Sequence, residues 1–569
     1  MDSERTPLAC GKLRARGLLA LLIGSLTPLF AHAQFVPDAG TTLRELRPRD
    51  LELPRAPPPP VEAPLPAETA GGDTEVRFRV DGYVFDGVTV FESAELEQLV
   101  ASFTQRELTL ADLRAAALAI TRHYREHGYL VARAYVPPQE VRDGRVRIAV
   151  LEGVYGRPEP GNASLVKDAV LERHLARIEA NRVIERDALD RRLLLIRDLG
   201  GVGEVVGTLR PGEHTGESTL RVDAAATPRV VGEVTADNYG NRYIGRYRLG
   251  GYAEIASPSG LGDLLDLRVL TSGDELQSGR LGYRVPLGVD GLTLHTSFSA
   301  VHYELKDDFA PLGAQGSALM PSVSLSYPLI RLPRANLYVR GGADYTSLRD
   351  DTDNPPTSAD RALWSVFGGL SGDWRDGVGA GAVSAFTANI EAGELDIESD
   401  ALRRFDRATT RAAGAYQKYS YSLLRLQSLG GPLSLYTSLS GQFASQNLDS
   451  AEKFWLGGAS GVRAYPQGEA AGDDGFLANV ELRYNLPVWR GVLPQVLAFV
   501  DTGGVKLIHD PFGPGDRTRY LSGAGVGFNV AESHGFAVRA AWAWKLGPED
   551  AQADKDRSGR GWILIGKMF

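Results

Sequence analysis

Residues 476–486 read Phe-Leu-Ala-Asn-Val-Glu-Leu-Arg-Tyr-Asn-Leu, and this stretch decides the fold class. Phe476, Ala478, Val480, Leu482, Tyr484 and Leu486 fall on one side of a strand, while Leu477, Asn479, Glu481, Arg483 and Asn485 fall on the other. The same dyad recurs at Leu265, Leu267 and Val269 against Leu264, Asp266 and Arg268. It recurs again at Leu337, Val339, Gly341, Ala343 and Tyr345 against Asn336, Tyr338, Arg340, Gly342 and Asp344. In a soluble sandwich the greasy face meets a second sheet. In a membrane barrel it meets lipid and the polar face lines a wet lumen.

Connection lengths separate the two cases. From about Arg229 onward sixteen strand segments start near residues 229, 246, 263, 279, 291, 316, 335, 359, 379, 416, 433, 476, 492, 522, 535 and 560. Their connections alternate between short turns, such as Gly288-Val289-Asp290 and Gly431-Pro432, and long polar loops, such as Glu398 to Ala415 and Asp449 to Gly475. Short turns on one side and long loops on the other, with an even strand count and a terminal aromatic, Phe569, predict a closed transmembrane β-barrel of 16 antiparallel strands. Lipid offers the backbone no hydrogen bonds, so closure is required.

The amino-terminal half reads differently. Lys12, Arg14 and Arg16 precede an apolar run, Gly17 to Phe30, and Ala31-His32-Ala33 supplies a small-residue cleavage site, so residues 1–33 read as a signal peptide. The only cysteine, Cys10, lies within it, which leaves the mature chain without disulfides or thiolate metal sites. Residues 34–48 hold one short helix, Asp38 to Arg47, with Asp38 as its cap. Residues 49–74 are a proline-rich linker able to span roughly 75 Å as polyproline II.

Residues 75–153 read as strand, helix, helix, strand, strand. A strand lies over Val76, Phe78 and Val80, and Ser93 caps a helix running to about Phe103. Thr109-Leu110-Ala111-Asp112 forms a capping box for a second helix that stops at Gly128, and strands follow at Leu130 to Val136 and Arg145 to Leu151. Residues 154–228 repeat the order more weakly. Helices open at Ser164 and Glu185, and strands run from Gly203 to Arg210 and from Ser218 to Ala224.

Composition narrows the function. The net charge of −9 carries no basic signature of nucleic-acid binding. Gly200-Gly201-Val202-Gly203 lacks both the spacing and the lysine of a phosphate-binding loop. His123-Tyr124-Arg125-Glu126-His127 fits the inverted zinc-protease pattern H-x-x-E-H. The pentad ends just before the helix stop, however, and no third ligand can be placed, so a structural histidine pair is the favoured reading. No enzyme, cofactor or metal is expected.

A leader, a short helix, a proline tether, two βααββ units and a sixteen-strand barrel together resemble the two-partner secretion transporters, the haemolysin secretion/activation (TpsB) family with its POTRA domains. Two motifs carry the likeness: Val462-Arg463-Ala464-Tyr465, similar to the family's VRGY/F loop, and Phe499-Val500-Asp501-Thr502-Gly503, similar to its F-x-D-x-G strand. Read without the family, Arg463 is a solvated loop charge and Asp501 a strand-end residue. The resemblance implies instead that the loop enters the lumen and Arg463 meets Asp501. Ala464 stands where the family has Gly, and a left-handed backbone there would cost about 1 kcal/mol or more.

The family further implies an outer-membrane translocator of a Gram-negative bacterium, a monomeric barrel in lipid with periplasmic POTRA domains that capture a large secreted haemolysin- or adhesin-like exoprotein. It implies also that the 34–48 helix plugs the resting pore. A barrel-assembly factor and a solute porin are the alternatives.

Overall fold

The computed structural model describes residues 37–46, 77–512, 517–532 and 535–569. The expected leader and the proline-rich linker lie outside them. Sixteen antiparallel strands close into one barrel, each paired with its neighbour in sequence and the first, Val230–Asp237, paired with the last, Gly559–Met568. Every expected segment corresponds to a strand, with ends moved by a few residues. The largest shift is the strand expected at 522, which starts at Thr518 because Arg519 is held in the ladder against Val505.

The dyad assigns the faces. Val480, Leu482, Val500, Trp364 and Phe298 are exposed on the outside, whereas Glu481 and Asp501 are buried on the inside. At the seam Phe569 exchanges backbone hydrogen bonds with Gly232, at 2.9 and 3.0 Å. Its ring covers that glycine, where a Cβ would sit 2.5 Å from Phe569 Cζ. The terminal aromatic thus extends the closing ladder.

Helix α1 (Ala39–Leu46) stands apart in sequence from the barrel and packs inside it. Asp38 caps it: Thr41 N donates to Asp38 Oδ1 at 2.9 Å. Ala39 and Leu43 join a buried cluster with Val301, Tyr303, Leu348 and Leu363, all inward-facing barrel residues.

Two α/β units precede the barrel. In the first, α2 (Ser93–Leu99) leads to α3 (Leu110–Glu126), whose capping box between Thr109 and Asp112 is formed in both directions. Gly128, at φ 94°, ends that helix region as expected. Ser93 is not a cap: Glu92 holds that position without a side-chain bond, and the helix tightens into a 3₁₀ turn at Ala101–Phe103. A strand that the hydrophobic pattern hides, Gly82–Asp86, runs parallel to Arg145–Leu151 at the sheet's edge. Its five residues sit between Asp81 and Gly87, beyond the strand expected over Val76, Phe78 and Val80.

In the second unit, α4 (Asp168–Leu175) begins four residues after Ser164, because the Ser164 hydroxyl bonds Asn162 Oδ1 at 2.6 Å in the preceding turn. Helix α5 (Arg186–Arg197) then leads into the pair Val202–Pro211 and Glu217–Ala226, with Glu159–Ala163 parallel to the latter. This unit is seated on the short turns of the barrel. Arg331 Nη2 lies 2.6 Å from Asp198 Oδ1, Arg192 Nη1 lies 3.2 Å from Asp290 Oδ1, and Gly200 N donates to Gly262 O at 2.8 Å.

His174 on α4 is 2% exposed, and among the described residues neither ring nitrogen has a hydrogen-bond partner. Burial, reinforced by Arg192 and Arg173 and opposed by Asp290, pushes its pKa down to about 4. The unfolded chain, near 6.5, then binds more protons than the folded one between these values, so stability falls as pH drops through that window. At pH 5 the loss is about 2 kcal/mol relative to pH 7.5. Amide exchange of α4 in the full chain should accelerate about thirtyfold between those pH values, after correction for intrinsic rates, and His174→Leu should abolish the acceleration.

Candidate functional site

The long connection after the eleventh strand, Leu433–Ala444, does not project outward. It turns into the lumen through a 3₁₀ turn at Ser450–Glu452 and a short ribbon pairing Phe454–Trp455 with Ala471–Gly472, before the twelfth strand, Asp474–Asn485. Val462, Ala464 and Tyr465 at its tip are buried.

Arg463 makes a two-toothed pair with Asp501 on the strand Val492–Lys506: Nε to Oδ2 at 2.8 Å and Nη2 to Oδ1 at 2.7 Å. Its backbone N–H also donates to Asp501 Oδ2, at 3.1 Å. Fork-to-carboxylate geometry of this kind fixes orientation as well as distance. Glu481 takes the remaining edge of the guanidinium, with Nη1 at 2.7 Å, and Asn479 donates to Asp501 Oδ1 at 2.8 Å and to Gly461 O at 3.1 Å. The Phe499 ring lies below the cation, 3.4 Å from Cζ to its centroid. Trp562 Nε1, on the last strand, donates to Arg463 O at 2.7 Å. Tyr465 OH donates to Glu549 O at 3.0 Å.

Both motif positions occupied by small residues have a spatial reason. A Cβ on Gly503 would stand 2.6 Å from Phe476 O and 2.7 Å from Leu456 Cδ2, so this wall position must be bare for the loop to lie against it. Ala464 does not have a left-handed backbone, and the expected strain is absent. Its methyl group faces the fourteenth strand, Thr518–Glu532, at Gly523, where a Cβ would come within 2.5 Å of Ala464 Cβ. The extra methyl is housed by a missing one opposite.

A second anchor lies deeper. Glu469 is 1% exposed, pairs with Arg519, and accepts the N–H groups of Gln552 and Ala553 at 2.9 and 2.8 Å. Periodicity marked Glu481 and Asn479 as inward-facing, and nothing local in the sequence marked Glu469, Trp562 or Gly523 as their companions.

The same loop meets α1. Arg361, on the eighth strand Pro356–Asp376, contacts Asp38 at 3.1 Å, Asp350 at 2.6 Å and the loop residue Asp449. Ser450 Oγ donates to Asp38 Oδ2 at 2.6 Å, and Ala39 N donates to Asp350 Oδ1 at 2.8 Å. Gly40 lets the helix approach the loop, since a Cβ there would stand 2.7 Å from Ala451 N. Helix, loop and wall therefore meet in one buried ionic knot.

The H-x-x-E-H pentad is placed otherwise. His123 Nε2 lies 2.9 Å from Glu95 Oε1, and His127 directs Nδ1 to His123 O at 2.8 Å. Among the described residues no group of three or more His, Cys, Asp or Glu side chains is arranged to hold a metal.

A closed sixteen-strand barrel with a long loop tied inside its lumen, carried on α/β units at its short-turn end, is an outer-membrane transporter architecture. The family model for the haemolysin secretion/activation protein ShlB/FhaC/HecB matches residues 216–530, and the chain belongs to that family. A model of the ShlB-type POTRA domain matches residues 78–153. The heme/hemopexin transporter protein HuxB of Haemophilus influenzae is 27% identical over 94% of this chain and 95% of its own length. The outer membrane transporter CdiB of Escherichia coli is 25% identical over 82% and 79%. A solved structure of CdiB from Escherichia coli superposes with a TM-score of 0.72 at 22% identity, covering 90% of this chain and 94% of that one, which shows the shared fold. The protein is a two-partner secretion transporter of the Gram-negative outer membrane, with its POTRA region in the periplasm.

Two outcomes are expected. Arg463→Ala leaves Asp501 buried without its cation and should lower barrel stability by about 3–5 kcal/mol, read as an earlier midpoint in urea unfolding from detergent. Gly523→Ala should loosen the loop, seen as trypsin cleavage within residues 456–470, and Ala464→Gly in the same chain should restore protection.

Proposed function

We propose that this chain recognises one large exoprotein in the periplasm, through POTRA-like domains spanning 75–153 and 154–228, and passes it unfolded through the 229–569 barrel. Transport proceeds without nucleotide hydrolysis, and the chain acts as a channel with no catalytic step of its own. The edge strands of the α/β units suit capture of an extended segment by backbone pairing. Arg463 and Asp501 hold the loop in its lumenal position, and the 34–48 segment closes the resting pore.

The observation that carries this reading is the filling of the lumen. Asp38, Asp449 and Asp350 surround Arg361, so the helix and the loop share one anchor on the wall. A polypeptide crossing the barrel must displace α1 and shift the loop. The ionic contacts that hold them exchange readily for water once the lumen hydrates.

Deleting the gene tests the reading. Loss of one large protein from the culture medium, with its precursor retained or degraded in the periplasm, is the expected result. A general fall in outer-membrane barrels would indicate an assembly factor, and unchanged fractions would favour a solute porin. In planar bilayers, Gly40→Leu should expel α1 and raise mean conductance several-fold over the native chain, with the barrel's β-sheet circular dichroism unchanged.

A further inference from the structure

The loop between the ninth strand, Ala382–Ile397, and the tenth, Gly414–Gly430, carries α6 (Asp400–Ala408), a nine-residue helix with two unlike faces. Leu402 packs toward the buried cluster that includes Ile397 and Ala412. Asp406, 5% exposed, closes the helix end by accepting Thr410 Oγ1 at 2.5 Å and Ala412 N at 2.9 Å. The other side carries Arg404, Arg407 and, just beyond the helix, Arg411, all exposed, with Phe405 66% exposed beside them. Among the described residues none of these three arginines pairs with a carboxylate. Arg403 takes Asp400 at 3.0 Å and Asp396 at 3.6 Å, Glu394 lies within the strand below, and Glu398 stands exposed between strand and helix, before the helix cap Ser399.

The pair Arg403–Asp396 fixes where the helix sits. Asp396 shares the outward parity of Ile390, which is 57% exposed on the lipid face. Trp364, opposite Glu394, with Tyr345 opposite Trp364, and Tyr419, opposite Ile390, with Phe443 opposite Tyr419, form an outward aromatic belt just below. Such belts mark the membrane–water boundary. One strand dyad above it, about 7 Å along the chain, lies the headgroup layer.

We infer that α6 is a lipid-contact site, whose Arg404, Arg407 and Arg411 bind the phosphates of glycolipid headgroups in the outer leaflet while Phe405 enters the boundary below them. A guanidinium pairs with phosphate through two parallel hydrogen bonds. An exposed aromatic beside a cationic helix face is the pattern of interfacial anchoring. A lipid partner explains why a phenylalanine and three uncompensated arginines stand together on a chain whose net charge is −9.

The test reconstitutes the full chain into nanodiscs of phosphatidylcholine containing either bisphosphorylated lipid A or the same lipid A with its phosphates removed, without divalent cations. Trypsin cleavage after Arg404, Arg407 and Arg411 is followed by mass spectrometry. Cleavage at least tenfold slower with the phosphorylated lipid, relieved by 0.5 M salt, is expected. In native mass spectra, Arg404→Gln/Arg407→Gln/Arg411→Gln should retain at least threefold less lipid A. Equal cleavage in the two bilayers, or protection that appears only when an acidic segment of the secreted chain is added, would overturn the assignment. So would unchanged lipid A retention by the triple variant.

Discussion

The fork between Arg463 and Asp501 is the contact on which the arrangement inside the barrel depends. A wall of sixteen strands satisfies its own backbone and needs nothing in its lumen to remain closed. The loop after the eleventh strand, by contrast, carries irregular backbone and polar side chains that require partners at every turn. Asp501 supplies both guanidinium and backbone N–H partners, Glu481 shares the charge, Phe499 covers the cation, and Trp562 ties the same residue to the closing strand. One arginine thereby connects strands twelve, thirteen and sixteen.

From that fixed tip the loop runs back to Asp449 and Ser450, where it meets α1 and Arg361. Apolar contacts of Ala39 and Leu43 add area to this junction, but the specificity is ionic: three carboxylates converge on a single guanidinium. A knot of this kind is strong while dry and weak when wet, because the Coulomb energy between unit charges varies inversely with the dielectric constant. A lumen that hydrates when a polypeptide enters is therefore suited to release it. The docking of the second α/β unit on the short turns, through Arg331–Asp198 and Arg192–Asp290, places that unit at the end of the barrel from which a periplasmic chain would arrive.

Much of this was readable in the sequence because a lipid-facing strand leaves little freedom. Period-two alternation at 476–486 or 336–345 must be obeyed residue by residue, and it marked the strands together with the inward Asn479 and Glu481, whereas the pairing of Arg463 with Asp501 came only from the family resemblance. The features that escaped the sequence depend on closure. Glu469 and Arg519 are fifty residues apart and adjacent only because the loop folds inward. Gly523 opposite Ala464 is a complementarity across space, and a strain argument from Ala464 alone gave the wrong local geometry. Short parallel strands such as Gly82–Asp86 were hidden by flanking turn residues, and Ser93 and Ser164 were misplaced because a serine near a helix start bonds a turn as readily as a helix N–H.

The most direct measurement exploits the scarcity of cysteine, since Cys10 is the only one in the sequence. Asp38→Cys with Ser450→Cys joins the start of α1 to the loop where their side chains already meet at 2.6 Å, and export of the partner exoprotein is followed in oxidised and reduced cells. The account predicts that export stops when the cross-link forms and resumes on reduction. Undiminished export from fully cross-linked protein would contradict it, because the chain would then be crossing without displacing the helix from the loop.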